Sequence, residues 1–456
     1  MTADPVRWLW AAVAVGLWLA VIAAVVIARR LARRRDAAKA AALAPTEGQA
    51  DVLVAFASQT GLAEELAWMT ARSLCEGGTS ARVALLGDLD PDQLKAARQL
   101  LIVASTTGEG DAPDSMSWFV RKQMSEPADL SGMRYGLLAL GDRTYAEFCG
   151  FGRALDSWLR ASGATRLFDT VEVDNGDTGA IRHWQHQLGQ LTGHAVQADW
   201  TPPAYDRWRL TERTHLNPGS PGGETWWLAF EPVDHNPAWV AGDIAEVGLP
   251  AREDQPVASR EYSVASLPSE GRAVFIVRRM IAPDGTPGLG SGWLTRDLSV
   301  GDEIGMRIRT NRSFHGPAVE TPLILIGNGT GLAGLRAHLK AREGQSHGGT
   351  WLMFGERTRA HDALLDEDLH AALASGLLTR LDRAFSRDAG DGRYVQALIA
   401  EHAAEIVTWV ERGATIMVCG SLDGMAGGVH AALEDVLGAD GLLALTEAGR
   451  YRRDVY

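Results

Sequence analysis

Apolar positions fall along this chain in three regimes. From Trp8 to Ala28, WLWAAVAVGLWLAVIAAVVIA runs 21 residues without a charge, which at ~1.5 Å per residue spans a ~30 Å hydrocarbon core. From Asp51 the apolar runs shorten and alternate with helical periodicity: DVLVAFASQTGLAEELAWMTARSL reads as buried strand, polar turn and amphipathic helix. QLLIVASTTGEGDAPDS and RYGLLALGDRTYAEFCGFGRALDSWL repeat the strand-to-loop pattern, so residues 50–199 are expected to form a parallel α/β unit. After the Pro-containing stretch TPPAYDRWRL, taken as a linker over 200–210, short strands with Gly and Pro turns predict an antiparallel barrel over 211–318. TPLILIGNGTGLAGLRAHLKAR and TIMVCGSLDGMAGGVHAAL then restore strand–turn–helix order, predicting a second α/β unit over 319–456.

Charge assigns the first regime. Only Arg7, with Asp4, precedes the span, whereas Arg29, Arg30, Arg33, Arg34, Arg35 and Lys39 follow it. A basic stop-transfer flank after so long a run favours a retained anchor over a cleaved signal peptide. Residues 1–35 are therefore expected to be a single-pass transmembrane anchor, residues 36–49 a tether, and the remainder to face the cytoplasm from a bacterial-type inner membrane. Cys75, Cys149 and Cys419 are odd in number and far apart, which suggests neither a disulfide framework nor a metal site and fits a reducing compartment. The net charge of −13 argues against nucleic acid. Residues 51–199 hold 12 basic and 20 acidic residues, either a solvated face or a surface that steers a basic electron-transfer partner.

Chemistry enters at the strand ends. Ser58, Gln59, Thr60 and Gly61 occupy the first turn, where hydroxyls and unpaired N–H groups at a helix start suit a phosphate, although Ser and Thr are also ordinary helix caps. Ser105, Thr106, Thr107, Gly108, Glu109 and Gly110 form a flexible second loop, and Gly141, Asp142, Tyr145 and Phe148 a third. Three such loops on one edge of a parallel sheet are where an open α/β fold binds its ligand. In the barrel, REYSVAS offers Arg260 to a phosphate, Tyr262 to a ring face and Ser263 as a hydroxyl, a pattern also met in plain surface strands; GLGSGWL adds Gly288, Gly290, Ser291 and Gly292. Farther on, Gly329, Thr330 and Gly331 form a Gly-rich turn, and Ser386, Arg387, Arg393, Tyr394 and Gln396 a cluster of forks, hydroxyl and aromatic plate. A ribose 2′-phosphate wants bidentate cationic donors of this kind.

Taken in order, these motifs resemble the diflavin reductases, closest to the sulfite reductase flavoprotein subunits, here in a membrane-anchored short form. The resemblance implies a flavodoxin-like FMN domain, an antiparallel FAD barrel and an NADPH-binding α/β domain. SQTG would hold the FMN phosphate, STTGEG the ring, and Tyr145 with Phe148 its outer side; some relatives carry a second stacking aromatic where this chain has Thr107. Arg260, Tyr262, Ser263 and the 288–292 turn would hold FAD, with Tyr456 of the final RYRRDVY covering its ring as a gate. Gly329, Thr330 and Gly331 would take the NADPH pyrophosphate, although Gly334 and Leu335 replace the family's Pro and aromatic residue; Ser386, Arg387, Arg393, Tyr394 and Gln396 would select NADPH over NADH. Cys419 alone at a strand end reads as inert packing; by resemblance it joins Ser263, Asp454 and Tyr456 around the nicotinamide. Family members commonly carry a helical connecting domain, yet only about 60 residues separate the FMN unit from Arg260. The implied activity is electron transfer from NADPH through FAD and FMN to a haem protein or ferric iron complex at the inner membrane. The alternatives are a sulfite reductase flavoprotein subunit and a non-catalytic flavin-binding scaffold, the latter opposed by the nearly complete dinucleotide motifs.

Overall fold

The computed structural model describes residues 51–143, 145–193, 200, 204–234, 237–250 and 259–456. The expected anchor and tether lie outside the described residues. Among the described residues no helix is long and apolar enough to cross a membrane.

The first unit is a parallel sheet of β1 (Val52–Ala57), β2 (Ala81–Leu85), β3 (Gln99–Ser105), β4 (Arg134–Gly141), β5 (Thr165–Arg166) and β6 (Val171–Asp174). The order is β2-β1-β3-β4-β5, with β6 also pairing β4. Strands β1, β3 and β4 are buried almost throughout, as continuous apolar runs must be when both faces of a parallel sheet are covered. The helices Leu62–Glu76, Gly150–Ala161 and Thr178–Thr192 supply that cover, Trp184 being fully buried. Strand order reverses between β1 and β3, so the chain leaves their carboxyl ends in opposite directions and opens a crevice there. The turn after β1 and the loops after β3 and β4 all lie along that edge.

The second unit is antiparallel: β7 (Asp206–His215), β8 (Thr225–Pro232), β9 (Ile244–Gly248), β10 (Ser259–Ser263), β11 (Ala273–Arg278) and β12 (Glu303–Arg309). Their order is β10-β9-β12-β7-β8-β11. Just past β10 the Ala265 N–H donates to Val274 O at 2.7 Å, so the two end strands meet and the sheet curls on itself. Strand β7 starts within the stretch read as linker. Its alternation explains why: Trp208 and Leu210 are buried, while Arg207 and Arg209 point outward to Glu303.

The third unit is parallel again, with β13 (Leu323–Asn328), β14 (Thr350–Glu356), β15 (Arg380–Phe385), β16 (Thr415–Gly420) and β17 (Tyr451–Val455) in the order β15-β14-β13-β16-β17. The terminal RYRRDV segment is thus an edge strand. Its register sets Cys419 opposite Asp454 and Gly420 opposite Val455.

Candidate active site

At the first sheet's edge, Gly61 is left-handed with φ 88°, and its N–H donates to Ser58 Oγ at 2.9 Å. A Cβ there would stand 2.5 Å from Thr310 O of the barrel as well as being strained, so only Gly serves this turn. In the next loop the Thr106 and Thr107 hydroxyls are buried without a hydrogen-bond partner among the described residues. Buried orphans of this kind cost ~1–3 kcal/mol each, and a flavin ring with its carbonyls and ring nitrogens is the sort of group that satisfies them. Glu109 accepts the Ala146 N–H at 3.0 Å and ties this loop to the one bearing Tyr145. Phe148 turns inward, buried against Ala139 and Cys149, with the Arg143 guanidinium 4.2 Å from its ring centre.

Three elements converge on one carboxylate in the second and third units. Ser263 Oγ, closing β10, donates to Asp454 Oδ2 at 2.7 Å, and the Cys419 thiol approaches the same oxygen at 3.7 Å. All three meet beneath the helix Leu332–Lys340, where a Cβ on Gly334 would lie 3.0 Å from Cys419 Sγ. Burial pushes the thiol well above its ordinary range, helped by the neighbouring carboxylate, and burial also raises Asp454. Tyr456 is 48% exposed, its hydroxyl donating to Thr330 Oγ1 at 3.3 Å. It is held by backbone on both sides: its N–H donates to Gly420 O at 3.1 Å, and its carbonyl accepts from Leu422 N–H at 2.9 Å.

The two barrel motifs meet at Gly290, where a Cβ would stand 2.8 Å from Arg260 Cγ and 2.9 Å from the Tyr262 hydroxyl. Such close backbone approach is the cradle a dinucleotide needs. A cleft of about 310 Å³ opens beside it, lined by Pro250, Pro287, Gly288, Gly292, Trp293 and Arg296 among others. At the far end of the third sheet Ser386 Oγ donates to Glu356 O at 3.2 Å, Tyr394 is exposed, and Gln396 lies against Gly428. Arg387 makes no ion pair among the described residues. Arg393 is different: its Nε sits 2.6 Å from Asp391 and its Nη1 bonds Glu401. Carboxylates two and eight residues along the chain thus occupy a fork that the sequence reading left free.

Contacts between the units escaped the sequence reading, including those of Gln59, which was assigned only to the FMN phosphate. Gln59 Nε2 donates to Arg453 O at 2.9 Å, and its Oε1 accepts the Asp114 N–H at 3.0 Å. Arg307 pairs with Glu65 at 3.0 Å, Arg312 with Glu64 at 3.6 Å, and Ser313 Oγ bonds Gln59 O. The first unit therefore sits with its turn and loop directly on the barrel and on β17. The acidity of residues 51–199 was the visible signal; its basic counterpart stands partly within the same chain.

Comparison with known proteins agrees with this layout. A model of the flavodoxin family matches residues 54–184, and one of the oxidoreductase NAD-binding domain matches residues 325–431. The sulfite reductase [NADPH] flavoprotein alpha-component of Vibrio vulnificus (strain CMCP6) is 27% identical over 535 residues, covering 88% of this chain and 87% of that protein. That of Bacillus subtilis (strain 168) is 26% identical over 540 residues, covering 89% of each. Both alignments are longer than the 456-residue chain, so these relatives carry stretches without a counterpart here. The inner-membrane location expected from residues 1–35 is corrected by these matches: the chain aligns over most of its length with components of sulfite reductase, and no described helix is long and apolar enough to cross a membrane. The non-catalytic alternative falls with the same comparison. On these matches, which cover the two α/β units and the loops at their sheet edges, the chain is an NADPH-dependent flavoprotein oxidoreductase with FMN, FAD and NADPH as cofactors, similar over most of its length to the diflavin reductases.

Proposed function

We propose that the protein carries reducing equivalents from NADPH to a one-electron acceptor, either a haem or iron protein or a ferric complex. The observation that carries this reading is the meeting of Ser263, Cys419 and Asp454 at one buried carboxylate oxygen, beside Thr330 and Tyr456. When bound, the cofactors supply the chemistry, hydride from NADPH to FAD and then single electrons by way of FMN. The chain supplies position, exclusion of water and placement of protons. Ser263 is assigned to hydrogen-bond the reacting edge of the ring, with Asp454 fixing its hydroxyl. Burial keeps the Cys419 thiol protonated at neutral pH, so it presents a small S–H to the nicotinamide instead of a second anion beside Asp454. Thr60, Thr106 and Thr107 are assigned to FMN, Arg260 and the 288–292 turn to FAD, and Arg387 with Ser386 to the 2′-phosphate.

A second reading, the flavoprotein component of a sulfite reductase, is favoured by the span of the match to proteins of that name. The two separate in one experiment. Anaerobic protein reduced by NADPH is mixed with a sulfite reductase haemoprotein, a cytochrome and a ferric chelate, and haem or iron reduction is followed by absorbance. Reduction confined to the haemoprotein selects the second reading. Rates no faster than those of free reduced flavin, for all three acceptors, would sink the first and second readings together.

A further inference from the structure

The turn assigned above to the FMN phosphate has no cation of its own. From Asp51 to Ala71 the chain carries no Lys, Arg or His, and the first turn of the helix Leu62–Glu76 carries Glu64 and Glu65. The free N–H groups of a helix start suit a phosphate, but here two carboxylates stand beside them. The barrel meets that deficit. Arg307 pairs with Glu65 at 3.0 Å and Arg312 with Glu64 at 3.6 Å, so both carboxylates are engaged from outside the first unit. Arg309, which ends β12 between those two arginines, reaches the turn itself: its Nη2 donates to Thr60 Oγ1 at 3.4 Å. Thr310 O and Ser313 Oγ close on Gly61 and Gln59 of the same turn.

Arg309 is only 7% exposed, yet its hydrogen bonds are incomplete. Nη2 also bonds Glu261, and Nη1 lies 3.4 Å from Glu246 Oε2, an oxygen that Arg307 already holds at 2.8 and 3.1 Å. Nε is buried without a hydrogen-bond partner among the described residues. Nε and Nη2 form one edge of the guanidinium, the edge that receives two oxygens of a phosphate side by side. One donor of that edge is thus orphaned and the other stands at Thr60. Glu261 lies between Arg260 and Tyr262 on β10, so the strand that offers those two residues to FAD also holds Arg309 in place. We propose that Arg309 supplies the cation for the FMN phosphate, reaching across from the barrel to share it with the Thr60 hydroxyl. The proposal rests on the reading of Ser58–Gly61 as the FMN phosphate turn. It makes FMN a ligand of two units, held fully only while the first unit sits on the barrel.

The test is fluorescence titration of FMN and of riboflavin, which has the same ring and no phosphate, into the full chain carrying FAD and depleted of FMN. Wild type should bind FMN more tightly than riboflavin. Arg309→Gln should weaken FMN about tenfold or more, the loss of one charge-assisted contact, and leave riboflavin unchanged. Arg309→Lys keeps a charge beside Glu261 but lacks the two-donor edge, and should fall between wild type and Gln. If the Gln variant fails to retain FAD, the Lys variant decides by the same comparison. Equal weakening of FMN and riboflavin, or unchanged FMN binding, overturns the assignment and leaves Arg309 a structural ion pair. Wild-type protein that binds FMN no better than riboflavin overturns the reading of the turn as a phosphate site, and the proposal with it.

Discussion

Arg453 Nε donates to both carboxylate oxygens of Asp114, at 3.1 and 3.0 Å, across 339 residues of sequence. One residue along the chain is Asp454, at the buried cluster; the loop bearing Asp114 is the one expected to hold the FMN ring. The pair therefore fixes the first unit against the strand that carries Asp454, proposed above to serve hydride transfer. Asp114→Asn should leave reduction of the FAD by NADPH unchanged in stopped flow. It should slow the later reduction of an acceptor that draws on FMN, because a charge-assisted contact of ~1.5–3 kcal/mol is lost from the dock. High salt should act on wild type in the same direction, since screening shortens from ~10 Å at 0.1 M to ~3 Å at 1 M. A variant slowed equally at both steps would mean that Asp114 shapes the fold and not the dock.

The orphaned Thr106 hydroxyl gives a prediction with opposite signs in two states. Thr106→Val removes a buried oxygen that has no hydrogen-bond partner among the described residues, so flavin-free protein should melt at the same temperature or higher. FMN should bind the variant more weakly, by ~1 kcal/mol for one neutral hydrogen bond. FAD content is the control. Loss of stability in the flavin-free state would show that the hydroxyl already has a role without the flavin.

Arg387→Ala should weaken NADPH far more than NADH, because only NADPH carries the 2′-phosphate. With Arg393 engaged by Asp391 and Glu401, Arg387 is left as the cation for that group, and a tenfold or greater fall in kcat/KM for NADPH follows from the loss of a ~1.5–3 kcal/mol contact. Arg393→Ala should cost less selectivity. If the order of the two variants were reversed, the ion pairs of Arg393 would have to open on binding.

Glu356 sets a pH dependence. Burial pushes its carboxyl from 4.5 up to about 7, opposed by Arg278 and Arg357 and reinforced by Asp362. The folded state thus holds this proton where the unfolded chain has released it. The associated stability is fully present below about 4.5 and is lost as pH rises through about 7, ~3 kcal/mol in all. Glu356→Gln stays neutral throughout. Its stability relative to wild type, from denaturant titrations at pH 5 and pH 8, should therefore rise by about that amount; no change between the two pH values would place the group among ordinary surface carboxylates.

What could be read in advance depended on how local the signal was. The three strand-end loops of the first sheet were legible because each pairs an apolar run with small polar residues inside a single stretch, as in QLLIVASTTGEG. Cys419 and Asp454 could be joined only through resemblance, since their contact depends on the parallel pairing of β16 with β17. The start of β7 was obscured because Pro202 and Pro203 advertise a linker while Trp208 and Leu210 already face the core. Arg307 and Arg453 gave no signal: arginines on exposed-looking strands, they acquire meaning only from Glu65 and Asp114, which lie 242 and 339 residues away.

Tyr456 is the side chain on which a gate would depend. It is about half exposed, its hydroxyl reaches Thr330 on the dinucleotide turn, and its backbone is tied to Gly420 and Leu422. The backbone is thus fixed while the ring retains an open face, the arrangement a movable cover over FAD requires. Tyr456→Ala keeps both backbone bonds and removes only the ring, so folding and FMN content should be preserved. Loss of a stacking contact of ~0.5–1.5 kcal/mol should let the nicotinamide occupy the vacated face longer. NADP⁺ should then inhibit more strongly, turnover should slow, and the preference for NADPH over NADH should narrow because the nicotinamide end contributes more of the binding. Stopped-flow hydride transfer and NADP⁺ product inhibition are the two measurements. If both match wild type in protein with full FAD occupancy, the ring only packs against Thr330, and access to the flavin is set elsewhere in the cluster of Ser263, Cys419 and Asp454.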